Sequence, residues 1–250
     1  MSQIDAAEHY RRSVERVIAL IDDHGSDAID APVRACPGWS VGDVLRHVVG
    51  LTSDVVRSHV DGYAGPEWTE NQIAQRRGMT WPALRAEWLA DLPAMVAINR
   101  DLAGSSLPEM IEHVMGPVPK VAFEQAFTVD LVQHELDVRA ALGAPRTVDT
   151  DTDQLVASAQ ISTLRGVFAV SELPTVHLVA RDVGRTWPIG RNEPVAMLHV
   201  SLFELLRTIG GRRTVDEIRN SSWSGDPSSV VEYLVVPFFS APASSLGERA

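Results

Sequence analysis

The segment Asp130-Leu-Val-Gln-His134 sets a carboxylate and an imidazole four residues apart. On a helix this spacing puts both side chains on one face, about one turn from each other, so both can reach a single ion. Imidazole and carboxylate are the usual ligands of zinc and related divalent metals where thiolates are lacking. A third ligand must come from elsewhere. His47 is the best candidate, because it stands in an apolar helical stretch with Leu45, Val48 and Val49, where a polar group needs a partner. Three protein ligands would leave positions open for water or substrate. The same residues also fit a plainer account: an Asp/His pair at this spacing is common on helix surfaces, and a histidine in an apolar helix is often bonded to a carbonyl.

Other chemistry is thinly represented. Cys36 is the single cysteine, so an intramolecular disulfide and a multi-cysteine zinc site are both excluded, and any metal must use nitrogen and oxygen donors. Cys36 stands beside Pro37 and Gly38 in a turn with no evident activating partner, which reads as an inert small residue. A formal net charge of -11 argues against a nucleic-acid partner, since phosphate binding needs concentrated positive charge. No apolar run of about 18 residues is present to span a membrane, nor is there a secretory leader pattern, so a cytoplasmic protein is expected.

These residues need helices to position them. From Ile4 to about Ile21, Ala7, Tyr10, Val14, Val17, Ile18 and Ile21 recur at the helical period. After the turn around Cys36-Pro-Gly-Trp39, Ser40 and Asp43 form a capping-box-like start for a second helix running to about His59, which carries His47. The pattern lapses between Gly62 and Gly78, and Thr80 with Pro82 opens a third helix through Ile98. Gly104 to Pro119 reads as a loop or short turn; a fourth helix is predicted from near Lys120 to a glycine cap at Gly143, and a fifth segment from about Thr152 to Val170 completes or braces the bundle. Beyond Leu173 the texture turns to strands at 175–180 and 195–200 with a turn and edge strand between, then a helix capped by Ser201 and broken at Gly210-Gly211, and another short one opened by Asp226-Pro227. The expected class is α+β: a helical bundle over 1–172 and a small α/β domain over 173–250.

The run Cys36-Pro-Gly-Trp-Ser-Val-Gly-Asp-Val-Leu-Arg-His47, followed by Asp130-x-x-x-His134-x-x-Asp137 and Ala141-Leu-Gly143, resembles the mycothiol-dependent maleylpyruvate isomerase family, within the wider DinB-like superfamily of metal-binding four-helix bundles. The stretch from Leu202 to Arg213 and the later Gly225-Asp226 resemble that family's sterol-carrier-like C-terminal domain. By position the resemblance implies His47, Asp130 and His134 as metal ligands. The best-described relatives have glutamate where this chain has Asp130, a shorter arm that backbone or ion must make up by roughly an ångström. Asp137 would either orient a ligand or pair with Arg139 or Arg12 on the helix surface. Arg212 is the closest match to the relatives' catalytic arginine, with Arg213 its rival; an arginine fork there would hold a carboxylate and stabilise enolate-like charge.

What the resemblance implies is a metal-dependent isomerase or S-transferase. It would use mycothiol as thiol cosubstrate and a divalent ion, zinc foremost, on a small electrophile, and act as a monomer or homodimer. A non-catalytic metal-binding or regulatory protein of the same fold is the alternative. Metal-assisted hydrolysis ranks third, because Glu135, one residue past His134, points off the ligand face and serves poorly as a general base.

Overall fold

The computed structural model describes residues 5–113 and 116–248, and the chain divides into two compact units, Met1–Thr147 and Val148–Ala250. In the first, α1 (Ala6–His24), α2 (Val41–Val56), α4 (Trp81–Arg100) and α5 (Ala126–Leu142) form a four-helix bundle, with the shorter α3 (Pro66–Gln75) laid on α2. α1 and α2 each pack on both α4 and α5, so α2 and α5, which carry the three predicted ligands, are neighbours. The expected signals act where they were read. Ser40 and Asp43 exchange both bonds of a capping box, and Gly143 ends α5 in the left-handed region at φ 62°. Ile4 lies outside the described residues.

One hydroxyl ties three helices together. Thr52 on α2 donates to the Val48 carbonyl at 2.8 Å, accepts from Trp88 Nε1 of α4 at 3.0 Å and meets the Tyr10 hydroxyl of α1 at 2.7 Å. All three side chains are buried. The surrounding core is Val14, Val17, Ile21, Leu45, Val48, Leu84 and Met95.

In this unit α3 and a β-hairpin were not expected from the sequence. α3 occupies the stretch where the pattern lapses, because it buries only Gln72 and Ile73 and therefore carries no apolar stripe. Its start is signalled by Pro66 at the first helical turn and Glu67 beside it. The loop before α5 holds a hairpin, β1 (Met110–His113) antiparallel to β2 (Gly116–Pro119), and the chain then makes a 3-10 turn over Lys120–Phe123. α5 thus starts six residues later than predicted, at Ala126 rather than Lys120.

In the second unit a four-stranded sheet has the order β4 (Arg185–Ile189), β3 (Val176–Ala180), β5 (Ala196–Val200), β6 (Trp223–Gly225), with β3 and β5 parallel and the other pairs antiparallel. The helix α6 (Thr150–Val170) belongs here, placing the division at 147/148 instead of 172/173. It packs on β4 and on α7 (Leu202–Ile209), burying Val156, Ile161, Leu164 and Phe168. Arg165 donates to the Pro188 carbonyl at 3.0 Å, and Trp187 Nε1 to Ser158 at 3.1 Å. A short α8 (Val215–Arg219) follows behind a Thr214/Glu217 capping box that went unread. Asp226-Pro227 opens no α-helix; the chain makes only a 3-10 turn at Val231–Tyr233. The mixed class expected from the sequence is therefore present, and no helix among the described residues is long and apolar enough to cross a membrane.

α3 can lie close to α2 because Gly50 faces it: a Cβ there would sit 2.6 Å from Gln72 Cβ and 2.9 Å from an Arg76 guanidinium nitrogen. Replacing a helical glycine by alanine ordinarily stabilises by about 1 kcal/mol, but here the clash falls on atoms near the α3 backbone and overpacking costs about 1–3 kcal/mol. Gly50→Ala is expected to lower the urea unfolding midpoint rather than raise it.

Candidate metal centre

The turn before α2 aims two side chains at the site. Trp39 N–H donates to the Cys36 carbonyl at 2.9 Å, with Pro37 second and Gly38 third at φ +87°, the requirements of a type II turn. No atom lies within 4 Å of a Cβ built on Gly38, so its backbone conformation, not space, calls for glycine. The turn sets the Trp39 ring 5.5 Å from that of His47 and stacks it on His134 at 6.2 Å.

His47, Asp130 and His134 converge, each offering a ligand atom within 4.8 Å of the others. His47 Nε2 stands 3.4 Å from one Asp130 oxygen and His134 Nε2 stands 3.7 Å from the other. These separations are long for direct hydrogen bonds. The first falls within, and the second just beyond, the roughly 3.3–3.6 Å that separates ligand atoms in a tetrahedron with metal bonds of about 2.0–2.2 Å. Both histidines are buried, whereas the Asp130 side chain keeps 25% of its exposure, so the cluster opens towards solvent at the carboxylate.

Each imidazole is oriented from behind. Gln72 Nε2 donates to Asp54 at 2.9 Å, which turns its carbonyl oxygen to accept from His47 Nδ1 at 2.7 Å. With the proton on Nδ1, the neutral His47 ring presents the Nε2 lone pair to the centre. Asp137, 1% exposed, lies 3.3 Å from His134 Nδ1 and does the same for that ring. The salt-bridge alternatives go elsewhere: Arg139 pairs with Glu135 at 3.0 Å and Arg12 with Glu8 at 3.0 Å. Glu135 also holds Arg16 of α1 and faces away from the cluster. These residues fit a divalent ion.

Sequence reasoning missed Gln72, because its helix has no apolar period and nothing in the chain links positions 47 and 72. It also misjudged Cys36, whose sulfur lies 4.0 Å from His134 Nδ1 and 3.8 Å from Asp137. Cys36, His134 and Asp137 form a second set of potential donors sharing His134 through its opposite nitrogen. A neutral imidazole has one lone pair, so His134 serves one set at a time. Arg212 belongs to the second unit, where it is buried, bonds the Gly210 carbonyl and lies over the Phe239 ring at 4.7 Å. Arg213 beside it pairs with Glu204 at 2.8 Å and Glu248 at 3.0 Å.

With that geometry in place, the comparisons are informative. Residues 10–139 match the family model described as the mycothiol maleylpyruvate isomerase N-terminal domain, a span that contains His47, Asp130, His134, Trp39 and Gln72. The chain belongs to this family. A crystal structure of a mutant form of the mycothiol-dependent maleylpyruvate isomerase is similar with 15% identity and a TM-score of 0.55, over 82% of this chain and 88% of that one. A second crystal structure of the mycothiol-dependent maleylpyruvate isomerase gives 14% and 0.53, over 83% and 88%. At such identities the likeness is one of fold. Comparison with curated proteins returned no match.

Burial disfavours the charged His47 ring, but the Asp130 carboxylate, the Gln72 oxygen and Asp54 outweigh it and lift its pKa above the ordinary imidazole value. In the metal-free protein this pairing stabilises fully below about pH 6.5 and is lost as pH rises through the raised pKa. A bound metal requires the unprotonated ring, so its stabilisation grows with pH instead. Unfolding midpoints compared near pH 5.5 and pH 8, with and without chelator, should show these opposite slopes. Gln72→Ala and Asp137→Asn should each weaken metal affinity about 10- to 100-fold, while Cys36→Ala leaves it unchanged.

Proposed function

We propose that this protein is a metal-dependent, mycothiol-using isomerase or S-transferase acting on a small electrophile in the cytoplasm, with His47, Asp130 and His134 holding zinc. The observation that carries this reading is the convergence of those three donors, with both imidazoles oriented by Gln72 and Asp137, in a chain of the mycothiol maleylpyruvate isomerase N-terminal domain family.

A divalent ion held here supplies Lewis acidity, lowering the pKa of a thiol and placing positive charge beside the electrophile. The protein's own groups do the rest. Two neutral imidazoles and one carboxylate leave a net positive centre when a dication is bound, which favours an anionic sulfur over its neutral thiol. Trp39 covers both histidine rings and keeps water from that side. The partly exposed Asp130 marks the side from which thiol and electrophile enter. For an isomerase the sulfur adds to one carbon of a conjugated double bond, the former double bond rotates, and elimination returns the thiol and the other isomer. Without elimination the product is the thioether, which is the transferase outcome.

The family resemblance matches Arg212, by position alone, to the arginine that would hold a substrate carboxylate through its paired N–H groups. Arg213 is committed to Glu204 and Glu248, a buried arrangement that reads as structural. Arg212→Lys, which keeps the charge and loses the fork, should raise KM for a carboxylate-bearing substrate about tenfold or more. Arg213→Ala should lower the unfolding midpoint instead, because Glu204 loses its arginine partner and Glu248 is left with Arg207 alone.

Purified protein assayed for mycothiol consumption against a panel of electrophiles that includes maleylpyruvate should show turnover abolished by chelator and by His47→Ala, which also loses its metal. Full metal content in His47→Ala would sink the ligand assignment. Metal binding without thiol consumption would replace the enzyme with a metal-binding regulatory protein.

A further inference from the structure

Tyr63 is a buried polar side chain for which the centre described above has no use. It sits between α2 and α3 and is 5% exposed. Its ring packs against Trp68 at 4.7 Å, Phe123 at 5.0 Å, His113 at 5.9 Å and Phe127 at 6.1 Å, and its backbone bridges to His113. All of these contacts are made by the ring or the main chain. The hydroxyl makes no hydrogen bond to a described residue, yet it is not among the buried polar atoms left unsatisfied, so its oxygen reaches accessible space.

Its surroundings indicate which way it faces. Phe127, edge-on to the Tyr63 ring, precedes Asp130 by one turn on α5 and so shares its face. Asp130 is the carboxylate whose charge acts on the phenol. Tyr10 also feels that charge but has its hydroxyl committed to Thr52 at 2.7 Å. Tyr63 is held by aromatic packing that includes Phe127, on the α5 face that Asp130 shares, and its hydroxyl bonds no described residue.

We propose that the Tyr63 hydroxyl donates a hydrogen bond to an oxygen of the substrate at the His47–Asp130–His134 centre, namely the carbonyl or carboxylate oxygen that gains negative charge as the thiol adds. The assignment rests on the reading of that centre given under Proposed function. No proton is transferred; the donor is fixed in advance where charge develops, which is where such a bond is worth most. Burial and the Asp130 charge hold the phenol's pKa well above its ordinary value, so it remains a neutral donor throughout the working range.

Tyr63→Phe keeps the ring and its packing and removes only the oxygen. The probe is maleate, a cis-unsaturated dicarboxylate, titrated calorimetrically into the zinc-loaded protein. The variant should keep its metal content and thermal midpoint and bind maleate about tenfold or more weakly. Tyr10→Phe is the control: it should lower the midpoint and leave maleate affinity unchanged. In the wild-type protein carrying 13Cζ-labelled tyrosine, the Tyr63 resonance should move on maleate addition, a readout independent of how the variant folds. Equal affinity in wild type and Tyr63→Phe, or an unmoved resonance at saturation, overturns the role of Tyr63 and leaves the metal centre standing. Failure of the zinc-loaded wild-type protein to bind maleate at all overturns the role of Tyr63 together with the cis-dicarboxylate substrate class, while the metal centre is tested separately by the metal content of His47→Ala.

Discussion

Three ionisable side chains meet where α2 packs on α5, inside a bundle whose core is largely aliphatic and aromatic, and the rest of the first unit accommodates that meeting. Two buried imidazoles and a carboxylate lose hydration, and unless each gains partners the loss is several kcal/mol. The protein supplies partners on both sides of the rings. Asp130 faces both Nε2 atoms, and Gln72 and Asp137 take the Nδ1 atoms. The arrangement orients the rings before any ion arrives, which lowers the ordering cost of binding one. It also explains the placement of an otherwise marginal helix: α3 buries little apolar surface, and its polar contribution is Gln72, brought within reach by the missing Cβ of Gly50.

α5 carries the opposing demands in one helix. From Leu131 to Arg139 every residue is buried, yet the stretch includes Gln133, His134, Glu135, Asp137 and Arg139. His134 looks to the cluster, while Glu135, one residue on, is held by Arg16 and Arg139. A helix buried this fully with this many charges cannot show a clean amphipathic stripe. Its start was accordingly misplaced by six residues, while its end, fixed by a glycine in the left-handed region, was not.

Legibility followed the range of the interaction. Caps and turns are local, so Ser40, Thr80, Gly143 and Ser201 marked their elements correctly, and the strands at 176–180 and 196–200 stood out by composition. The Asp130/His134 spacing is local too. The pairing with His47, across more than eighty residues, came from the motif that includes Pro37-Gly38-Trp39, and the turn explains why that motif travels with the site: it delivers the indole onto both histidines. What stayed hidden was relational. Gln72, Tyr63 and the sulfur of Cys36 owe their importance to side chains far along the sequence, and no property of their own neighbourhoods announces it. α6 is a further case, since its periodicity predicts a helix but not which core receives it.

Thr52 has a bearing on how freely this bundle can vary. Its hydroxyl uses its one hydrogen and both acceptor positions at once, and the distances from α2 to α1 and α4 are set there by bond lengths rather than by the bulk of aliphatic groups. Around such a fixed point Val, Leu and Ile can exchange with one another while the helices keep their spacing, and His47, little more than a turn away on the same rod, keeps its address. Redesign of the aliphatic core around Tyr10 and Trp88 thus has Thr52 to preserve and many apolar residues to vary.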